Sequence, residues 1–183
     1  MKYTHKTTRL QYEQNPQQKF IFFWGHQPSK DGSITKSCFS QWWEASFEIA
    51  GISYPTAEHY MMVEKARLFK NLDLIEPMLK AKHPHAVKKL GRSVKNFDSV
   101  VWNQHRFDIV KTANLEKFAQ NKALKTYLLN TGDRIIVEAS PVDAIWGIGL
   151  AENDPKALNP NHWEGENLLG YALMEVRDLL KKS

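Results

Sequence analysis

Short apolar runs separated by turn residues make up the first part of the chain. The run Lys19–Trp24 is dense in aromatic residues and breaks at Gly25, which predicts a buried strand. Three further segments have the same aromatic, β-rich character: Phe39–Trp43, Phe47–Ile49 and Gly51–Tyr54. Glycine-containing turns separate these segments, so the pattern predicts a small antiparallel sheet.

From Pro55 onward the apolar residues recur at the spacing of amphipathic helices. Thr56 is placed to cap the first of these helices, Ala57–Phe69. The other predicted helices are Leu72–Lys82, a short helix that starts at Pro84 and ends at Gly91, Trp102–Gln120, Ala123–Leu129 and Asn167–Lys181. The buried side of Trp102–Gln120 is expected to carry Phe107, Val110, Leu115 and Phe118.

Two further segments complete the expected fold. Arg134–Glu138 is predicted as a strand because it contains three consecutive β-branched residues. Residues 1–18 are polar and rich in glutamine, so we expect a loose or extended arm that precedes one domain, residues 19–183. The predicted fold class is therefore α+β, predominantly helical, with a small antiparallel sheet.

Composition restricts the class of protein. The chain has 183 residues, 42% hydrophobic and 25% charged, which are the values of a globular domain that can bury its own core. The single cysteine, Cys38, excludes an intramolecular disulfide and a cysteine-rich zinc site. The first residues are too polar for a signal peptide, and no apolar run approaches the length of a membrane span. We expect a cytoplasmic protein that does not enter a membrane.

A net charge of +5 favours an anionic ligand without identifying it. The densest group of cations consists of Lys80, Lys82, Lys88, Lys89, Arg92 and Lys95. These residues alternate with apolar positions of predicted helices, whereas a nucleic-acid-binding surface usually concentrates its charge in one stripe. A small phosphate-bearing ligand fits the pattern somewhat better than general nucleic-acid binding, and charge alone does not decide between them.

Several common catalytic motifs are absent from the sequence. The seven histidines are dispersed, and only His83 and His85 are close together, without the spacing of a metal site. There is no GxSxG nucleophile motif, and Cys38 lacks an obvious partner base. Gly147-Ile-Gly149 lacks the third glycine and the lysine of phosphate-binding loops. The sequence therefore predicts neither a metal nor an organic cofactor.

Polar residues on the helix after Thr56 are the first candidate for a site. Glu58, Met62, Lys65 and Phe69 share one helix face, with about 10 Å of rise between Glu58 and Lys65. A small molecule can lie between a carboxylate and an ammonium group at that separation. The alternative is an ordinary solvent-exposed face, since both residue types are common on surfaces.

Two segments in the last third of the chain are further candidates. Glu138–Gly149 places an acid at Asp143 and an indole at Trp146 before two glycines, which suits a pocket for a heterocycle, although a turn around a buried Trp has the same pattern. In Gly165–Gly170, Asn167 can cap the last helix, and the start of that helix can attract a phosphate.

The order and number of these motifs resemble the NADAR (YbiA-like) family over nearly everything from residue 20 onward. The matching segments are Phe22–Gly25, Phe39–Ser40, Tyr54–Tyr60 with Lys65–Ala66, Gly91–Arg92, Trp102 and Arg106, Lys117–Phe118, Leu128–Asp133, Glu138–Asp143, Trp146–Gly149, Asn167–Gly170, Leu173–Met174 and Arg177. Single pieces are weak signals, whereas the whole set is specific. The family often has Tyr where Trp24 stands and Asn where Gln41 stands, which leaves the preference for one base open.

The resemblance implies an N-glycosidase that uses water to cleave the ribosyl C1–N bond of ribosylamino-pyrimidine 5′-phosphates from riboflavin biosynthesis. A carboxylate near C1 stabilises the developing positive charge, and Glu58 and Asp143 are the candidates. Lys65 either binds the substrate or forms a Schiff base at C1. The predicted substrate-binding residues are Phe22, Trp24, Gly25, Arg92, Arg106, Trp146, Gly147, Gly149 and Asn167, with Lys111 as a further candidate cation for the phosphate.

Two alternatives follow from the same resemblance. The first is an enzyme that removes ADP-ribose from guanine in nucleic acid, which the basic charge and the N-terminal arm fit slightly. The second is a module that binds ADP-ribose without catalysis, which has little need for Glu58, Lys65 and Asp143 together. The sequence leaves the oligomeric state open.

Overall fold

Seven α-helices and four short strands are present within residues 1–182, which are the residues that the computed structural model describes. In chain order they are α1 (His5–Gln14), β1 (Phe20–Phe23), β2 (Phe47–Ile49), β3 (Ile52–Tyr54), α2 (Ala57–Leu68), α3 (Ile75–Lys80), α4 (Pro84–Arg92), α5 (Ser99–Gln120), α6 (Lys122–Leu129), β4 (Ile135–Glu138) and α7 (Leu168–Leu180).

The chain folds as two compact units. The first unit consists of Met1–Ser40 and the described residues from Lys122 onward, and the second unit is Gln41–Asn121. Each predicted helix from Ala57 onward is present, with ends shifted by a few residues. The predominantly helical α+β prediction is thereby confirmed.

A parallel pair of strands, β1 and β4, forms the sheet of the first unit. Phe20 lies opposite Ile135 and Phe23 opposite Glu138. The sequence placed β1 in an antiparallel sheet with its chain neighbours, and this was wrong. Apolar pattern identifies a strand but not its partner, and a parallel partner requires a long crossover connection, supplied here by most of the chain.

The side chain of Asn167 occupies the edge of β4 that faces away from β1. Its Oδ1 accepts the N–H of Glu138 at 3.0 Å, and its Nδ2 donates to the carbonyl of Ile136 at 3.0 Å. We expected this side chain to cap α7, but no such capping bond forms. Instead the residue adopts a left-handed backbone conformation, φ 54°, with the amide turned onto the strand.

Backbone carbonyls of the loop after β4 cap α7. The N–H groups of Leu168 and Leu169 donate to the carbonyls of Ile145 and Trp146 at 3.3 and 3.1 Å. These two amides are therefore already used, and a phosphate at the start of α7, as the sequence suggested, would have to displace them.

The N-terminal segment is a helix where the sequence suggested a loose or extended arm. Thr4 and Thr7 form a reciprocal capping box at the start of α1. The His5 ring lies 2.7 Å from the Pro160 carbonyl through Nε2 and stacks on Trp163 with ring centroids 5.7 Å apart. These contacts hold a helix whose residues are almost all polar, so the apolar pattern does not show it. The boundary between residues 18 and 19 remains a prediction.

In the second unit, β2 and β3 form the predicted antiparallel hairpin. Its turn residues, Ala50 and Gly51, both have positive φ, as the tightest hairpin turns require.

The predicted strand Phe39–Trp43 is absent: Lys36–Phe39 is a 3₁₀ helix capped by the Thr35 hydroxyl, followed by a turn. Aromatic residues favoured a strand there, but a local side-chain cap determined the conformation.

The long helix α5 buries a different face from the one expected. Phe107 and Leu115 are only half-buried. The buried residues are Trp102, Val110, Ala113, Asn114, Lys117 and Phe118. Two polar residues lie in that set, which is why a rule based on apolar residues placed the face incorrectly.

The helix α4 does not end at Gly91, as the sequence predicted, but continues to Arg92. Gly91 is buried in the helix and packs on Met62.

A search of the described helices finds none that is both long and apolar enough to cross a membrane.

We predict that Gly170→Ala lowers the free energy of unfolding by about 3 kcal/mol, because a Cβ there would overlap the Ile136 carbonyl oxygen of β4. In an exposed helix the same change gains about 1 kcal/mol. Gly91→Ala is the control, since its Cβ meets the movable Met62 side chain and should change stability by about 1 kcal/mol or less. Urea unfolding measures both. Wild-type stability in Gly170→Ala would contradict the prediction.

Candidate active site

The helix face that carries Glu58 and Lys65 is turned inward, not toward solvent. Glu58 is 5% exposed, Met62 and Phe69 are buried, and Lys65 is half-buried. The alternative of an ordinary exposed face is therefore wrong. The two charged groups interact electrostatically: burial lowers the pKa of Lys65, and the carboxylate of Glu58 partly opposes that shift.

Lys65 has a specific environment within the second unit. Its Nζ donates to the Gly91 carbonyl at 2.8 Å and lies 4.4 Å from the ring centroid of Phe97 and 5.8 Å from that of Trp102. Burial lowers the pKa of Lys65 from its usual 10.5, and the opposing effect of Glu58 is smaller. An amine with a lowered pKa is more often neutral, which is the form that attacks carbon.

Glu58 lies in the first turn of α2. Thr56 caps this helix by accepting the N–H of His59, and the N–H of Glu58 donates to the Gln41 carbonyl at 3.0 Å. The positive end of the helix dipole favours a carboxylate at this position. A buried carboxylate held by its helix is suited to stabilise positive charge that develops at a sugar carbon.

His59 stabilises the same turn. Its Nδ1 lies 2.8 Å from the Thr56 hydroxyl and its Nε2 lies 2.9 Å from the Ala81 carbonyl. Burial lowers the pKa of His59. A neutral ring that donates from Nε2 and accepts at Nδ1 satisfies both partners, so this buried histidine acts as a structural link.

The predicted phosphate-binding cations also lie in the second unit. Arg92 is exposed at the end of α4, one residue beyond the Gly91 carbonyl that binds Lys65. Arg106 is half-buried on α5. Lys111 pairs with Asp108 at 2.9 Å and lies over the Phe107 ring, so it is already engaged.

Asp143 organises the loop after β4 in the first unit. Its Oδ1 accepts the N–H groups of Ile145 and Trp146 at 2.9 and 2.8 Å, while the side chains of Asp143 and Trp146 are half-buried. A Cβ at Gly147 would lie 2.8 Å from the Glu138 carbonyl oxygen and 2.9 Å from that of Asp143. Glycine is therefore required for the close backbone packing here, and Gly149 completes the loop.

Parallel pairing brings a second predicted group to the same end of the sheet. Phe22 is buried on β1 opposite Val137, and β1 and β4 both end where Ala139 donates to the Phe23 carbonyl at 2.8 Å. Trp24, 59% exposed, and Gly25 follow β1 at that end. The carboxyl ends of parallel strands are where ligands usually bind in such sheets. Asn167 lies behind them with no exposed surface and both amide groups engaged by β4.

The structure adds buried polar residues that the sequence analysis did not select. Lys117, on α5, is 0% exposed. Lysine side chains are almost never fully buried unless they have a specific partner. Asn114 lies one turn before it on the same face and is also fully buried. Asn114 and Lys117 lie four and seven residues after Val110, a spacing that places all three on one helix face and that the sequence alone shows.

Within residues 1–182 no group of three His, Cys, Asp or Glu side chains is placed to hold a metal ion.

Comparison with known proteins identifies the class. A family model described as NADAR domain matches residues 22–181 and so spans parts of both units. An N-glycosidase of Acanthamoeba polyphaga mimivirus is 41% identical over 165 residues, covering 87% of this chain and 95% of that protein. A riboflavin biosynthesis protein of Vibrio vulnificus is 30% identical over 143 residues, covering 78% of this chain and 35% of that protein. The solution structure of YbiA from E. coli superposes with a TM-score of 0.72 at 26% identity, covering 90% of this chain and 86% of that one.

The chain belongs to the NADAR family, which confirms the resemblance drawn from its motifs. Relatives along nearly the whole length are N-glycosidases, among them the mimivirus protein and YbiA. The prediction of an enzyme is confirmed at this level: the chain is a hydrolase of N-glycosyl bonds. The roles of the individual site residues remain predictions.

We predict that Lys65 titrates below its usual pKa of 10.5 and that Glu58→Gln lowers its pKa further, because the variant removes the charge that favours the ammonium form. Titration of ¹³C-labelled lysine side chains by NMR, assigned with Lys65→Arg, measures both values. Between the lowered pKa of Lys65 in the folded protein and the value of 10.5 in the unfolded chain, the unfolded chain binds more protons than the folded one. The stability of the wild type relative to Lys65→Met should therefore rise as pH approaches 10.5. A pKa at or above 10.5 would be incompatible with this environment.

Proposed function

We propose that this N-glycosidase hydrolyses ribosylamino-pyrimidine 5′-phosphates, intermediates of riboflavin biosynthesis, to ribose 5-phosphate and the free base. The observation that carries the proposal is the inward face of α2, which holds the buried Glu58 and the half-buried Lys65, with the pKa of the lysine lowered by burial. The relative named as a riboflavin biosynthesis protein supports the substrate class. We also propose a cytoplasmic location, because a chain with a single cysteine cannot form the intramolecular disulfides that are typical of secreted domains.

Cleavage of the ribosyl C1–N bond sends its electron pair to the leaving base and positive charge to the sugar. In the direct route, the Glu58 carboxylate stabilises that charge or removes a proton from the attacking water, whose oxygen becomes the C1 hydroxyl. The proton that water loses balances the one that the departing nitrogen acquires. Asp143 is the alternative carboxylate, with one oxygen already accepting two backbone amides.

Lys65 offers a second route to the same products. Neutral Lys65 attacks C1 of the ring-opened sugar, the base leaves as an amine, and the C=N bond of a Schiff base joins C1 to Nζ. Water then adds to C1 and releases the sugar as the free aldehyde, which restores the lysine. The carbonyl of Gly91 and the ring of Phe97 hold the amine in place for this step.

Recognition of the rest of the substrate is assigned to the predicted binding residues. In the first unit, Trp24, Trp146 and Phe22 are the candidates for aromatic contact with a base, and the backbone at Gly25, Gly147 and Gly149 allows close approach. In the second unit, Arg92 and Arg106 are the candidate cations for a phosphate. Asn167 contributes through the loop and helix that it holds to β4, since its amide is committed there.

The test of the proposed function is chromatographic detection of ribose 5-phosphate released from ribosylamino-pyrimidine 5′-phosphates. We expect release by the wild type and a loss of about 100-fold or more in Glu58→Gln, which keeps the shape but removes the charge. Glu64→Gln is the matched control on the same helix, because Glu64 pairs with Arg67. No release by the wild type would overturn this substrate assignment.

Borohydride reduction distinguishes the two routes. If the Schiff base forms, reduction during turnover should attach one sugar phosphate to the wild type and inactivate it, and mass spectrometry should locate the adduct on Lys65. Lys65→Arg, which keeps the charge but cannot form the imine, should give no adduct. An active wild type that is never trapped would rule out the covalent route and leave the direct one.

A second candidate is removal of ADP-ribose from guanine in nucleic acid. The observation that favours it is the exposure of all six cations between Lys80 and Lys95, with no acidic residue from Pro77 to Phe97. Activity on ADP-ribosylated oligonucleotides that falls steeply with salt would favour this candidate. Binding of ADP-ribose without turnover of either substrate would favour a non-catalytic module.

A further inference from the structure

A pair of buried amide side chains, Gln41 and Asn114, joins α5 to the segment before α2 inside the second unit. The Asn114 Nδ2 donates to the Gln41 Oε1 at 2.6 Å and to the Val110 carbonyl at 2.9 Å. Gln41 is 8% exposed and Asn114 is fully buried. The Gln41 Oε1 and the Val110 carbonyl are both acceptors, so the side of the Asn114 amide that faces them must be its nitrogen.

Gln41 connects this pair to the first turn of α2. Its backbone carbonyl accepts the N–H of Glu58 at 3.0 Å, and its side-chain nitrogen has only a weak contact with the Met61 sulfur at 4.0 Å. One residue therefore binds α5 through its side chain and the Glu58 amide through its backbone. The chain of contacts runs from Asn114 through Gln41 to Glu58.

The pair is a poor choice for stability alone. The Oδ1 of Asn114 is buried and has no hydrogen-bond partner in the described structure. A buried acceptor without a partner reduces stability, whereas apolar side chains of similar shape would avoid that loss. The neighbouring positions Val110 and Ala113 on the same buried face are apolar. A directional hydrogen bond fixes a geometry that apolar packing cannot.

We propose that Gln41 and Asn114 are positioning residues for Glu58: their hydrogen bond fixes the backbone that holds the start of α2, and so places the carboxylate relative to C1 of the sugar. This inference rests on the proposed function for its catalytic consequence. Small displacements of a catalytic group are enough to slow a reaction strongly, so a device of this kind affects turnover more than substrate binding.

The variants Gln41→Met and Asn114→Leu each remove one partner, and the double variant removes both. We expect each single variant to lose about 10- to 100-fold in kcat, with KM changed by about twofold or less. The double variant should regain stability, because no side-chain partner is left alone, while kcat stays low. Recovery of kcat together with stability, or a change confined to KM, would overturn the proposal.

Gln120→Met is the matched control. Gln120 lies on the same helix and links it to Glu48, which also precedes α2, through two 2.8 Å bonds to the backbone of that residue, but it is exposed and makes no hydrogen bond to the start of α2. Its kcat should equal that of the wild type. A loss of kcat as large as that of Asn114→Leu would show that any link between these segments matters equally, and the specific role would be rejected.

Hydrogen exchange keeps this inference separate from the substrate assignment. The Glu58 amide should exchange about 10-fold faster or more in Asn114→Leu and in the double variant, relative to other amides of α2, and should be unchanged in Gln120→Met. If the wild type cleaves no ribosylamino-pyrimidine 5′-phosphate, the substrate assignment fails and this measurement still decides the positioning role. Unchanged exchange at Glu58 would overturn it.

Discussion

The first unit depends on one side chain that takes the place of a missing strand. A two-stranded sheet leaves half of the backbone groups of β4 without partners, and a buried strand cannot leave them so. The Asn167 amide supplies both an acceptor and a donor to that edge, at the cost of a left-handed backbone conformation. Gly170 then allows α7 to lie against the Ile136 carbonyl, and the loop that ends at Gly149 caps the helix in return.

The second unit is organised by a different constraint, the burial of polar groups on α2 and α5. Glu58, Asn114 and Lys117 are removed from water, and Lys65 is partly removed from it. Burial disfavours the charged form of an amine, so it lowers the pKa of Lys65, and the carboxylate of Glu58 reduces the size of that shift. An amine that can lose its proton, on the same helix face as a buried carboxylate, is what N-glycosyl chemistry can use, either as a nucleophile or as a substrate-binding cation.

Local signals predicted much of the fold. Thr56 as a cap and the helical period that follows were sufficient to define α2, and the glycine-containing turn at Ala50 and Gly51 was sufficient for the hairpin. Two of the failures share one cause. The helix α1 has almost no apolar face, and the pairing of β1 with β4 joins segments separated by more than half of the chain. Neither is visible to a pattern read over a short window, since both depend on contacts made after folding.

By itself, the sequence determined the family, the enzyme class and the residue types from which the site is built, because ordered motifs survive in the linear chain. It could not determine what each polar residue does. Asp143 and Asn167 were selected for chemistry, and the structure shows their side chains bonded to backbone amides and carbonyls. Lys117 and Asn114 were passed over, and the structure buries them. Burial and hydrogen-bond partners are properties of packing, so only the tertiary structure could decide which charges leave water and which groups hold the backbone.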